Sequence, residues 1–460
     1  MTLRRSLTPS LAVLLISTIW AQETQTTSLT IQEAVGRAQK FPSIEASQEQ
    51  VNAAAAGIRQ ARTNYLPSVD MVGQINRSTR NNVFGLLLPQ AVIPNISGPV
   101  LGTDNGSNVW GSAAGLLVSW QPFDFGRRRA LVRSAQSTQE RAELTRKRTR
   151  FDVETTTAAA FLTLLASQQT VRAAQAAVER ARVLVQSVKA SVNARLRPGA
   201  DLSRADTELD AAETQLMQAE QSVSVAKAAV AEYTGMDVNT VYVIPGNLLQ
   251  LPPEPTFRTA DLANNPAAKE QAGVIQESAT RLKVLQRTYR PTFVLQAGAY
   301  ARGTGALTNG STLGGWNGLG PNYFNTAAGF TVNFPLLALP SIRAQEAQES
   351  AIGRSASAMY RQVLADVQAQ LNAAQSTFAQ ARRIAAETPK EVADAKTGFE
   401  QSNAQYKAGL TTIVAVAEAQ RLLAQAEIDD SLAKLGVWRA LLQIQTAQGD
   451  ISSFLAQASR

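Results

Sequence analysis

Residues 41–79 read FPSIEASQEQVNAAAAGIRQARTNYLPSVDMVGQINRST, and residues 265–303 read NPAAKEQAGVIQESATRLKVLQRTYRPTFVLQAGAYARG. Both are helix-like runs that reach Tyr-x-Pro and pass into alternating apolar sequence. Pro42 to Pro67 and Pro266 to Pro291 each span 25 residues; further on, Pro122 to Gly199 spans 77 and Pro335 to Gly409 spans 74. Landmarks in one order at near-equal spacing mark a tandem duplication. Residues 1–21 stand apart, 22–235 hold the first repeat and 259–447 the second. Between them, 236–258 read as a Pro-rich linker with room for one short strand, and 448–460 as a tail.

Each repeat predicts a helix, two strands, a long helix and a medium one. Leu202, Leu209, Leu216, Val223 and Val230 recur every seven residues, with Ala205, Ala212, Ala219 and Ala226 between them. Leu364, Leu371, Phe378, Ala385, Val392, Phe399 and Tyr406 keep the same step, as do Val171, Val178, Val185 and Val192. A strict seven-residue step with small residues on half the seam predicts closely packed coiled coils, since an ordinary amphipathic helix drifts off it. Helices are expected over 127–195, 200–235, 341–407 and 410–447, the long ones about 100 Å at 1.5 Å per residue, with a kink at Pro389. The turns LRPGAD and YKAGLT reverse the chain, with Gly199 and Gly409 read as the permissive positions.

Strands are expected over 68–79, 109–120, 292–302 and 322–334, about the length of a tilted membrane strand. Val69, Met71, Gly73 and Ile75 alternate with polar residues, as do Ala328, Phe330, Val332 and Phe334; Leu116, Val118 and Trp120 share a face, as do Phe293, Leu295 and Ala297. A half-buried soluble sheet alternates equally well. Long Gly/Asn/Pro-rich loops within each pair and the export signal below favour a barrel around water. Four strands cannot close a lumen, and open edges are forbidden in lipid, so copies must share a barrel.

The chain of 460 residues has no Cys and no His, which removes thiol nucleophiles, Cys/His metal sites and His-based triads. Arg4 and Arg5, an apolar run from Leu11 to Trp20 and Ala21 form an expected secretory signal peptide. Net charge is +8, with nine Lys/Arg against two Glu from Arg127 to Arg150. Such a run suits anionic lipid, nucleic acid or a solvated helix face.

With LTIQEAVGRAQKFPSIEAS, ARTNYLPSV, WQPFDFGRRRA and YKAGLTTIVAVAEAQRLL in this order, the chain resembles the TolC family of outer-membrane efflux and secretion channels. The resemblance implies an α+β membrane protein. It would be a homotrimer whose shared twelve-stranded barrel in the Gram-negative outer membrane continues as a helical coiled-coil tunnel through the periplasm. It implies a passive duct that docks a periplasmic adaptor and an inner-membrane pump, with no cofactor, metal, catalytic residue or nucleic-acid partner. Tyr406 matches a tethering tyrosine at the periplasmic tip, Glu418 a pore-lining acid, and Asp201 the tethering carboxylate. Ala415 and Thr411 depart from the family pattern, leaving one carboxylate ring and no latch arginine at that position. A ring of Glu418 should prefer cations. Gly199 and Gly409 are expected at adaptor-docking turns, and Trp120, Arg127, Arg128 and Arg129 at the inner membrane rim, near lipid head groups.

Efflux of small molecules is the leading expectation, with a type I protein secretion channel as its alternative. A secreted coiled-coil adhesin explains the heptads and export but not the strands. A carboxylate-only hydrolase lacks an acid pair, Asp104 and Asp124 having no evident partners.

Overall fold

The computed structural model describes residues 27–79, 108–253, 261–307 and 311–459. The expected signal peptide, most of the first strand-to-strand loop, Asp104 and part of the expected linker lie outside the described residues.

Strand β1 (Thr27–Leu29) leads into helix α1 (Ile31–Ala38), whose start is fixed by a capping box: Thr30 Oγ1 accepts from Glu33 N at 3.3 Å and Glu33 Oε2 accepts from Thr30 N at 3.0 Å. Helix α2 (Pro42–Thr63) begins on a proline, which forfeits only a donor that has no partner in a first turn. Strands β2 (Ser68–Thr79) and β3 (Asn108–Phe123), helix α3 (Arg127–Asn193, 67 residues) and helix α4 (Gly199–Thr234) complete the first repeat. Strand β4 (Val241–Val243) follows.

The second repeat runs α5 (Pro266–Thr288), β5 (Thr292–Thr304), β6 (Tyr323–Asn333), α6 (Leu339–Lys407, 69 residues) and α7 (Ile413–Gln448). Asn265 caps α5, accepting from Ala267 N at 2.9 Å. A final helix, α8, spans Ser452–Ala458. Helix α6 runs unbroken through Pro389. Among the described residues, no helix is long and apolar enough to cross a membrane.

The main core sits at mid-length of the long helices. Phe161, Leu162, Leu164 and Leu165 of α3, Phe378 and Ala385 of α6 and Leu435, Trp438 and Leu441 of α7 meet there. The linker and tail expectations need correction at this belt. β4 pairs in parallel with β1, Leu29 opposite Val243, and Val241, Val243 and Leu248 are buried. Trp438 Nε1 donates to Gln250 O at 2.8 Å, while Phe454 of α8 packs edge-on to Trp438 at 6.0 Å. Both segments are core: strands of three residues carry no readable period, and their burial comes from pairing across more than 200 residues.

The long strands form one antiparallel sheet in the order β2-β3-β5-β6. Register places Val69, Val118, Ala297 and Ala328 in one row and Met71, Leu116 and Ala299 in the next, so all four apolar sets share a face. That face is open: Met71 is 83% exposed and Phe324 74%. Among the described residues, the outer edges of β2 and β6 have no strand partner.

Candidate functional site

The two helical hairpins turn by one mechanism. Leu196 N bonds Ser191 O and Arg195 N bonds Val192 O at the end of α3, each at 2.9 Å; Leu410 N bonds Gln405 O at 2.9 Å and Gly409 N bonds Tyr406 O at 3.0 Å at the end of α6. This double closure needs a left-handed residue. In the second turn it is Gly409, at φ +79°; in the first it is Arg195, at φ +57°. Gly199 is therefore not the permissive residue expected at that turn. It is the first residue of α4, after Pro198.

Between the turns lies a polar latch. Tyr406, in the last turn of α6, donates its hydroxyl to Asp201 Oδ2 at 3.0 Å, across to the first turn of α4. Arg197 donates to the Tyr406 carbonyl, and its guanidinium carbon lies 4.4 Å from the Tyr406 ring centroid, a cation–π distance. Leu184, Val188, Ala205, Ile413 and Val416 close around the tyrosine, leaving it 4% exposed. Sequence reading brought Tyr406 and Asp201 forward but missed Arg197. The guanidinium comes from the other hairpin, at the place in the first turn that Thr411 holds in the second; the signal was the arginine of LRPGAD, quoted for its glycine.

Burial, then the hydrogen bond to and charge of Asp201, push the Tyr406 hydroxyl up to about 12 from 10.0, with Arg197 opposing. A group whose folded pKa is raised stabilises below its unfolded value and ceases to as pH climbs through the folded one. The latch is thus expected to hold to about pH 10 and release by about pH 12. Channel conductance across that window checks this; the Tyr406→Phe protein should lack the step.

Glu418 stands on the exposed side of α7 and is not alone, since Arg421 three residues on donates to its carboxylate. Hydrogen bonding to Glu418, and its charge, raise the Arg421 pKa.

At the other end of α3 the arginines divide. Arg129 is exposed and Arg127 half-buried. Arg128 is 7% exposed: its Nε bonds Asp124 Oδ2 at 2.9 Å, Nη1 the Asn64 carbonyl at 3.3 Å and Nη2 the Pro122 carbonyl at 3.2 Å, and it covers the Tyr65 ring. It knots α2, β3 and α3 together rather than meeting head groups, which corrects two expectations, because Asp124 is its partner. Asp124→Ala would leave this cation buried and uncompensated, at a cost of about 3–5 kcal/mol. Thermal unfolding should move down by several degrees, and less for Asp124→Asn.

Trp120 is part-exposed and donates to Tyr65 O at 3.1 Å. Beside it Phe123, Phe125, Phe293 and Phe330 form an aromatic chain with centroids 4.7–6.0 Å apart. Sequence reading missed this band, which strand pairing assembles from both repeats. Among the described residues, no group of three or more possible metal ligands gathers.

A family model, that of outer membrane efflux proteins, matches residues 32–236, which is the first repeat. The described chain also superposes on solved outer-membrane channels along nearly its whole length. It has the TolC-like channel fold. CmeC of Campylobacter jejuni is 16% identical, with a TM-score of 0.74 over 99% of this chain and 98% of that one. CusC is 12% identical, at 0.75 over 91% and 92%. VceC of Vibrio cholerae is 17% identical, at 0.71 over 91% and 96%. Comparison with curated proteins returns no match. At these identities the solved structures fix the TolC-like fold, and the family model reaches less than half of the chain.

Proposed function

We propose that this chain is the passive outer-membrane exit duct of a tripartite efflux pump. The sheet carries this reading: four strands with an exposed apolar face and two open edges. Unpaired backbone groups cannot face lipid, so the edges must be covered. With four strands per chain, β6 of one copy meets β2 of the next in antiparallel sense, and a ring of copies closes without a mismatch. Three copies would give twelve strands, and their helices a tunnel beneath the barrel in the periplasm. The aromatic band beside Trp120, with Arg127 and Arg129, would mark the inner membrane rim.

The hairpin turns are then the periplasmic tip. Tyr406, Asp201 and Arg197 hold it shut, Glu418 lines the narrow part, and the turns at Gly199 and Gly409 meet a periplasmic adaptor bound to an inner-membrane pump. Small molecules would leave by this path. The test is planar-bilayer recording of the purified protein. Small conductance steps from the closed tip are expected, and absence of any channel would overturn the duct reading.

A further inference from the structure

Helices α4 and α7 keep the same register in the two repeats to the residue. Gly199 and Ile413 begin them, Thr234 and Gln448 end them, and left-handed Gly235 and Gly449 cap them, each pair 214 residues apart. The ends of the preceding long helices, Asn193 and Lys407, keep that interval, as do the hydrogen bonds of the two turns. The place that Glu418 holds in the second repeat therefore belongs to Arg204 in the first.

The two side chains are equally open to solvent, at 52% each. Each has an opposite charge near it on its own helix. Arg204 Nε lies 3.7 Å from Glu208 Oε1, and Arg421 is bonded to Glu418. Helices α4 and α7 touch one another, and the charge of Glu208 adds a small part to the raised Arg421 pKa. Two cations and two anions thus lie within about two helical turns. Exposed pairs of this kind add little stability, but ion selection depends on net charge, and these four groups sum to zero. At ordinary salt, fixed charges separated by less than the Debye length of about 8–10 Å cancel for a passing ion.

Resting on the duct reading, we propose that the ring at the level of Glu418 alternates glutamate with arginine, so the periplasmic entrance is charge-balanced and admits anionic and cationic solutes alike. Arg204 and Arg421 are then selectivity-determining residues, and the cation preference expected of a bare Glu418 ring does not arise.

The experiment is the reversal potential of the full-length protein in planar bilayers under a potassium chloride gradient. The unaltered protein should show a potassium-to-chloride permeability ratio near unity. Arg204→Gln and Arg421→Gln should each raise it several-fold, their combination further, and Glu418→Gln should lower it below unity. Arg204→Lys should restore the balance. A channel that is strongly cation-selective, or whose ratio is unmoved by both arginine replacements, overturns the charge balance and leaves the duct intact. A protein that conducts nothing overturns the duct, and this inference with it.

Discussion

In the proposed duct, Asp201→Ala is expected to open the hairpin tip. The replacement removes the acceptor of the hydroxyl of a buried tyrosine, in a hydrogen bond that is itself part-buried. An unsatisfied buried donor costs about 1–3 kcal/mol, and a trimer whose three tips move together would feel that cost three times. Since about 1.4 kcal/mol is a tenfold change in an equilibrium, the open fraction should rise by at least about tenfold, seen as larger conductance steps. Tyr406→Phe should do less, about 0.5–1.5 kcal/mol per subunit, because the ring stays packed under Arg197 and Asp201 turns to water. Asp201→Asn, which keeps an acceptor, should lie near the unaltered protein. Closed-state conductance unchanged in both Asp201→Ala and Tyr406→Phe would remove the latch from the account.

Met71→Arg is the second large effect. Met71 lies on the apolar face in the first half of β2, opposite Leu116, and is 83% exposed. On the lipid side of a barrel, an arginine costs up to about 2–4 kcal/mol, the most at the bilayer midplane and less toward the interfaces. Every copy would carry that cost, so recovery of assembled protein from membranes should collapse. Asp70→Lys, one residue away on the opposite face, should leave assembly nearly unchanged. Equal damage from both would mean that the two faces do not differ in surroundings.

Much of this architecture was legible in the sequence because it repeats over long stretches. Seven-residue steps held for several heptads signalled the hairpins, and short runs of alternation within the four candidate segments signalled the strands. Their shared apolar face then followed from pairing between Val69, Val118, Ala297 and Ala328. Other features carry no local pattern. β1 and β4 are three residues each and exist only because they find one another. Arg128 looked like its neighbours in an arginine triplet, and only the fold shows that Asp124, Asn64 and Pro122 enclose it.

The tip was half legible. Tyr406 and Asp201 could be singled out one at a time, but Arg197 joins them from a turn whose glycine drew attention instead. The alternation of Arg204 with Glu418 was hidden for a related reason. Landmark prolines and glycines align the repeats only loosely, since Gly199 matches Ile413 and not Gly409, whereas helix ends and turn hydrogen bonds align them residue by residue.

The central claim is that separate copies pool their sheets. The chain has no cysteine of its own, so engineered pairs report without background. One cysteine is placed on β2 between Val69 and Asn76 and another on β6 between Asn325 and Val332, and a panel of such pairs is oxidised in membranes. Some pair should yield a covalent trimer as the largest species, the mark of a closed ring. Monomers throughout the panel, or a ladder continuing past the trimer, would contradict the account.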